Sequence, residues 1–323
     1  MSKLVEKKKV IMCGPTHVAT KHMRVEGAEC ITIQRLHNRC LRYGNFEAEC
    51  LVVDEISQVN TLLWTALVPL GLLGCQIICM GDPENQLLSV LDSWMDVPLS
   101  IDVSQGTMLK SLCGNKRLRL TEGKRSGRVH VDFYASLSTI GWRCELPLTE
   151  MLAEARQAFA NRGFADVNLV ISHRQRVMIN KRVQDLRVRE ERPSDVLRLE
   201  AIKQTGVNTP QEMRLWKGVL LTAVLDGLTK EGIYNSQLLK VISWDKKNIT
   251  LQCIEAGREY DLTHGFVQRN CRLAYAMTYA SIQGRSCPNS VALWDTQHPK
   301  FTRRHLVMAL SRSTSSDLVW LGD

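Results

Sequence analysis

Several stretches of this sequence end an apolar run in residues that can do chemistry. In LVVDEISQV (51–59), Leu51, Val52 and Val53 give way at once to Asp54 and Glu55. Burying an unpaired carboxylate is costly, so acids in that position either emerge into water or wait for a cation. Where a triphosphate is hydrolysed, the Asp of such a pair holds Mg²⁺ through water and the Glu polarises the attacking water. CQIICMGDPENQL (75–87) ends its apolar run in Gly81-Asp82 with Gln86 close behind. From one strand over, that amide can sense a γ-phosphate. VIMCGPTHVAT (10–20) runs into Thr16 and His17, and MTYASIQGRS (277–286) sets Thr278, Gln283 and Gly284 just past another apolar run. Two cations complete the set, Arg312 in HLVMALSRSTSS (305–316) and Arg125 in TEGKRSG (121–127). An arginine delivered onto a γ-phosphate accelerates transfer by about 10³–10⁵, or roughly 4–7 kcal/mol. Singly, each acid or amide reads best as a solvated strand end and each arginine as a surface ion pair. Their order along the chain carries the weight.

The elements that must position these residues alternate. VIMCGP (10–15), CLVVDE (50–55) and CQIICMGD (75–82) are apolar without a period of two, which predicts strands covered on both faces in a parallel sheet. Between them THVATKHMRVEG (16–27) reads as a helix closed by Gly27, and VNTLLWTAL (59–67) as a helix stopped or bent at Pro69. LCGNKRLRLTEGKRSGR (112–128) is cationic and glycine-rich, the pattern of an interdomain crossing. The expected division is a first domain over 1–128 and a second over 129–323. The second opens with a helix near 148–161, the strand NLVIS (168–172) and the basic helix RQRVMINKRVQDLRVR. From about 216 to 266 the pattern turns to short alternating strands, a small β-barrel insertion. RLAYAMT, SVALWDT, RRHLVMALSR and LVWL then return to the α/β pattern.

At 323 residues and 44% apolar, the chain is long enough for two domains. No apolar run approaches the roughly 20 residues of a membrane-spanning helix. The start, MSKLVEKKKV, has no signal-peptide core. Eleven cysteines form no C-x-x-C pair, which points to free thiols in a reducing compartment, cytoplasm or nucleus. A net charge of +9 permits a polyanionic partner without demanding one.

In order, these segments resemble the RecA-like motor core of superfamily 1 helicases, RecD-like DNA helicases in particular, over nearly the whole chain. CGPTHVAT is similar to the motif whose Thr touches the DNA backbone, VVDEISQV to Walker B, and GDPENQL to the third motif with its phosphate-sensing Gln. LTEGKRS resembles the segment with one catalytic Arg, AMTYASIQG the fifth motif, and VMALSRSTS the sixth with its arginine finger. The resemblance implies an α/β fold of two RecA-like domains, with Mg²⁺-ATP hydrolysed between them and coupled to movement on single-stranded DNA. It assigns catalysis to Asp54, Glu55, Gln86, Arg125 and Arg312, with Asp54 holding Mg²⁺ through water. It assigns nucleotide binding to Gly81, Asp82, Gln283 and Gly284, and nucleic-acid contact to Thr16, His17, Thr32 and Thr278. A monomer is the expected form. Gln34 and Tyr279 depart from the usual residues of these motifs.

The larger departure is the phosphate-binding loop. No G-x-x-x-x-G-K-[ST] occurs: Gly123-Lys124 is followed by Arg125, and no glycine stands five positions earlier. SKLVEKKK reads as the end of the helix that such a loop would open. The expectation is therefore an N-terminally truncated helicase core, unable to hydrolyse ATP alone. The competing readings are a catalytically silent nucleic-acid-binding relative and an RNA helicase of the viral superfamily 1 type.

Overall fold

Alternate side chains of the first strands go to opposite faces of one sheet, and both faces are covered. In the computed structural model, which describes residues 2–44, 46–93, 106–120, 122, 126–137, 146–202, 208–225 and 232–322, Val10–Gly14 (β1), Glu29–Thr32 (β2), Cys50–Val53 (β3) and Gln76–Cys79 (β4) pair in the order β2-β1-β3-β4. Every pairing is parallel. Ile11, Cys13, Leu51 and Val53 pack with Leu36, Trp64 and Leu67 from helices on one face. Val10, Met12, Cys50 and Val52 pack with Met23 on the other. This is why the runs lack alternation, since each fully buried Val or Leu contributes about 1.5–3 kcal/mol whichever face it takes.

Two helices differ from their sequence patterns. The first spans only His17–His22, with Thr16 as N-cap and Met23 as C-cap, so Gly27 closes the turn that follows rather than the helix. The helix at Thr61–Leu72 runs through Pro69. A proline in the last turn removes one N–H bond near an end that is already frayed, so the helix continues for three residues.

The chain divides into two compact units: residues 1–146 with Gln283–Arg285 and Arg303–Ser311, and the remainder. The helix Arg303–Leu310 belongs to the first unit, where His130 Nε2 donates to Leu310 O at 2.9 Å.

The second unit holds two main sheets. Val167–Val170 (β5) lies in a parallel sheet of order β13-β5-β14-β15, with β13 at Ala276–Thr278, β14 at Val291–Leu293 and β15 at Val319–Leu321. The hairpin of Leu197–Leu199 (β6) and Met213–Leu215 (β7) leads to five antiparallel strands in the order β11-β10-β9-β8-β12. These are Leu220–Ala223 (β8), Leu238–Trp244 (β9), Asn248–Cys253 (β10), Glu259–Thr263 (β11) and Cys271–Leu273 (β12), folded on a separate core around Leu221, Leu239, Val241, Leu251 and Leu273. The β insertion thus reaches Leu273, and RLAYAMT is not one strand: its first half pairs antiparallel with β8 and its second half parallel with β5. Buried amides enforce that switch. Asn180 Oδ1 accepts from Ala276 N at 2.9 Å, and Asn168 Nδ2 donates to Tyr275 O at 2.8 Å.

All ten described cysteines are free thiols. Among the described residues, no helix is long and apolar enough to cross a membrane.

Candidate functional site

The carboxyl ends of β1, β3 and β4 lie side by side in the first unit, where open parallel sheets place their ligands. β3 delivers Asp54 and Glu55, both half-buried. Asp54 N–H still belongs to the sheet, donating to Cys13 O at 2.9 Å. Asp54 Oδ1 then accepts Glu55 N–H at 2.8 Å, and the chain turns sharply. Glu55 takes the left-handed conformation, φ 52° and ψ 46°, which costs a non-glycine residue on the order of 1 kcal/mol and is found most often where function requires it.

β4 delivers Gly81 and Asp82. Gly81 has φ 145°, and a Cβ there would stand 2.9 Å from Ile56 N. A glycine is therefore what lets the end of β4 touch the turn after β3. Asp82 shapes the next turn: its carboxylate accepts from Asn85 N–H at 3.2 Å and from Asn85 Nδ2, and its carbonyl accepts from Gln86 N–H at 3.0 Å. That turn is pinned from two further directions. Arg304 Nη1 donates to Pro83 O at 2.8 Å and to Gln86 O at 3.0 Å. The buried Glu84 carboxylate receives Arg117 at 2.8 Å and Arg119 at 2.9 Å.

Gln86, Ser57 and Gln283 form a chain of hydrogen bonds. Ser57, 1% exposed, donates to Gln86 Oε1 at 2.9 Å and accepts from Gln283 Nε2 at 3.0 Å, which also reaches Leu87 O at 3.3 Å. Gly284 follows with φ 81°, and its Cβ position lies 3.8 Å from Glu55 Oε1. Six residues singled out from the sequence (Asp54, Glu55, Gly81, Gln86, Gln283 and Gly284) thus come together with Asp82 in one unit.

Ser57, Arg304 and Glu84 were not found from sequence. Ser57 stands inside the VVDEISQV motif, but its partner Gln283 is 226 residues away, and a serine hydroxyl has no pattern of its own. Ser57→Ala leaves Gln86 Oε1 and Gln283 Nε2 short of a partner at a buried position. It is expected to cost about 1–3 kcal/mol, a drop in Tm of a few degrees by scanning calorimetry. An unchanged Tm would mean that the two amides find other partners.

The remaining residues divide as follows. Thr16 and Thr32 are N-caps, their hydroxyls accepting from Ala19 N at 3.1 Å and from Arg35 N at 3.2 Å. Each retains its O–H proton at a helix N-terminus, the geometry that suits a phosphate oxygen. His17 follows Thr16, and burial together with the Arg35 and Lys21 charges holds its pKa below the usual value, so the ring is neutral near pH 7. Thr278 and Arg312 belong to the second unit. Thr278 Oγ1 lies 2.7 Å from Ser281 Oγ, while Arg312 is buried and its carbonyl accepts from Cys287 N–H at 2.8 Å. Arg125 lies outside the described residues.

As ligands for a metal, Asp54 and Glu55 offer hard carboxylate oxygens, the donor type of Mg²⁺, which retains most of its waters. Among the described residues no group of three or more His, Cys, Asp or Glu side chains could hold a metal by itself. An ion held by these two carboxylates would keep waters in its remaining positions.

Two parallel sheets, one bearing an acid pair at a strand end and the other followed in the chain by an antiparallel β insertion, make an α/β fold of the RecA-like kind. The AAA domain family model matches residues 1–92. The Pif1 helicase of Candida albicans has the same fold, with a TM-score of 0.67 at 16% identity over 99% of this chain and 86% of that one. Bacteroides Pif1 bound to single-stranded DNA gives a TM-score of 0.63 at 16% identity, covering 100% of this chain and 85% of that one. Bacteroides Pif1 in complex with ADP-AlF3 and single-stranded DNA gives 0.63 at 15% identity, with 100% and 85% covered. No curated protein matches the sequence. These likenesses do not single out the RecD-like type.

Proposed function

We propose that this chain is the core of an ATP-dependent DNA helicase or translocase that binds single-stranded DNA. The observation that carries the reading is the convergence of Asp54, Glu55, Gly81, Gln86 and Gln283 at the strand ends of one parallel sheet. A chain with no triphosphate to handle has no physical need for two carboxylates, one on a strained turn, beside a chain of amides joined through Ser57. In this reading Asp54 holds hydrated Mg²⁺, Glu55 orients the attacking water, and Gln86 responds to the γ-phosphate. Arg312 takes by resemblance the role of the cation acting on that phosphate, and Arg125 that of a second. Thr16, His17, Thr32 and Thr278 contact the nucleic-acid backbone. The solved relatives bound to single-stranded DNA, and one of them also to ADP-AlF3, support both ligand classes.

A second reading has one specific observation in its favour. The sequence holds no G-x-x-x-x-G-K-[ST], and with it lacks the lysine that reaches the β/γ-phosphates and the hydroxyl that binds Mg²⁺. The 323 residues alone are therefore expected to bind single strands without turning over ATP. Labelled oligothymidylate and its RNA counterpart, followed by fluorescence anisotropy, test this. Affinity should fall by about 50-fold between 50 and 200 mM salt if some four phosphates are neutralised, and DNA should bind at least as tightly as RNA. A salt-independent affinity, or no binding at 50 mM, would remove nucleic acid as the partner. Stronger binding of RNA would move the chain to the RNA branch. ATP turnover at the rate of an ordinary motor would show that another phosphate grip exists.

A further inference from the structure

The second unit buries two arginines beside one another, and among the described residues no acid balances them. Arg176, in the first turns of the helix His173–Glu191, is 4% exposed, and Arg272, in β12, is 2% exposed. Arg272 is tied to carbonyls: Nη1 donates to Arg269 O at 2.7 Å and Cys271 O at 2.8 Å, and Nη2 to Asn208 O at 2.7 Å. Arg176 is held more loosely. Its Nε donates to His173 Nδ1 at 3.3 Å and its Nη1 to Gln211 Oε1 at 3.3 Å. Arg176 Nη2 and Arg272 Nε are buried with no hydrogen-bond partner. The short segment from Asn208 to Gln211 touches both guanidinium groups, one at each end.

Among the described residues no carboxylate pairs with either arginine, and the groups around them carry the mark of excess positive charge. Burial, and then the Arg272 charge, pulls Arg176 down to about 10. Burial, and then Arg176 and Arg272, lowers His173, which is thereby kept neutral. Two like charges taken out of water without a counter-charge cost several kcal/mol each. An anion between them would offset that cost and supply the partners that Arg176 Nη2 and Arg272 Nε lack among the described residues. The surroundings favour an oxyanion. A guanidinium presents planar N–H forks matched to phosphate or sulfate. The 19-residue helix directs its N-terminal dipole to the same place, with Ser172 capping it through Gln175 N at 3.2 Å.

We propose that Arg176 and Arg272, with Gln211 and the N-terminus of the helix His173–Glu191, form a binding site for a phosphate-type oxyanion. Arg176 is 4% and Arg272 2% exposed, so the group they would take is small, a phosphate rather than a whole nucleotide. Its ligand is thus a free inorganic oxyanion, or one phosphodiester group pressed in from a polymer. Bound there, the oxyanion would tie the β5 sheet, through its helix, to the β insertion, through Arg272. The proposal does not depend on the helicase reading, because it needs neither ATP nor movement on DNA.

The test uses the whole chain in a low-anion buffer at constant ionic strength, titrated with inorganic phosphate and, separately, with an oligothymidylate. Wild type should bind phosphate at one saturable site by calorimetry. Its Tm should rise by about 5 °C at a hundredfold excess over Kd. Arg176→Gln should abolish the saturable heat and the difference in Tm, whereas exposed Arg174→Gln should keep both. Should Arg176→Gln fail to fold, Gln211→Leu, which withdraws one hydrogen bond from Arg176, should weaken phosphate binding at least threefold. If phosphate is inert and the oligonucleotide alone stabilises in an Arg176-dependent way, the oxyanion is a chain phosphodiester and the site stands. If neither ligand acts through Arg176, or if phosphate stabilises wild type and Arg176→Gln equally, as a salting-out ion does, the site does not exist. Loss of oligothymidylate binding with phosphate binding intact would sink the helicase reading and leave this one.

Discussion

Glu55→Gln, made in a chain that also carries a G-x-x-x-x-G-K-[ST] loop ahead of β1, is expected to lower DNA-stimulated ATP turnover by about 10²–10⁴-fold and to leave single-strand affinity within about twofold. The exchange keeps the size and polarity of the side chain. Gln tolerates the left-handed φ of 52° no worse than Glu does, so the turn after β3 should survive. What it loses is a carboxylate able to accept a proton from the attacking water. The oligonucleotide contacts assigned to Thr16 and Thr32 come from other loops, at caps that do not involve Glu55. Steady-state ATPase assays beside anisotropy titrations separate the two effects. Turnover within tenfold of wild type would take the base role away from Glu55. A parallel loss of DNA binding would mean that the substitution disturbed the fold.

Gly81→Ala should destabilise the first unit by about 2–5 kcal/mol, summing the strain of a positive φ with the overpacking of one methyl group. The methyl would sit 2.9 Å from Ile56 N and 3.0 Å from Ile56 Cγ1. The backbone nitrogen cannot retreat easily, because Ile56 N–H donates to Met80 O at 3.1 Å. Relief by moving the turn would carry Glu55 and Ser57 with it. A drop in Tm of about 5–15 °C is the expected result by scanning calorimetry. A change below 2 °C would show that the two strand ends are not in the contact described.

The sequence by itself determined the parallel sheet of the first unit, the residues at its strand ends and the order of the motifs. Buried parallel strands must be apolar on both faces, and chemistry gathers where such strands stop. VIMC, LVV and QIIC followed by polar residues therefore carry their meaning locally. The same logic marks Asp54, Glu55 and Gln86 in the sequence. Helix ends were less legible. Gly27 and Pro69 are strong local signals, yet the first helix gives way at Met23, short of Gly27, and the second runs through Pro69 to Leu72, because a proline in the last turn removes only one hydrogen bond.

Only the tertiary structure decided which distant groups act together. Ser57 gains its importance from Gln86 and Gln283, Arg304 from two carbonyls of the 83–86 turn, and Arg176 from an arginine 96 positions later. None of these pairs has a periodic spacing that a reader of the chain could find. The split of RLAYAMT between two sheets has the same origin: the amides of Asn168 and Asn180, remote in sequence, satisfy the backbone where the strand changes partners. Local pattern fixes what can form a strand or a cap, because those choices depend on neighbours along the chain. Buried polar groups choose their partners across it, because each must be satisfied wherever the fold happens to bring it.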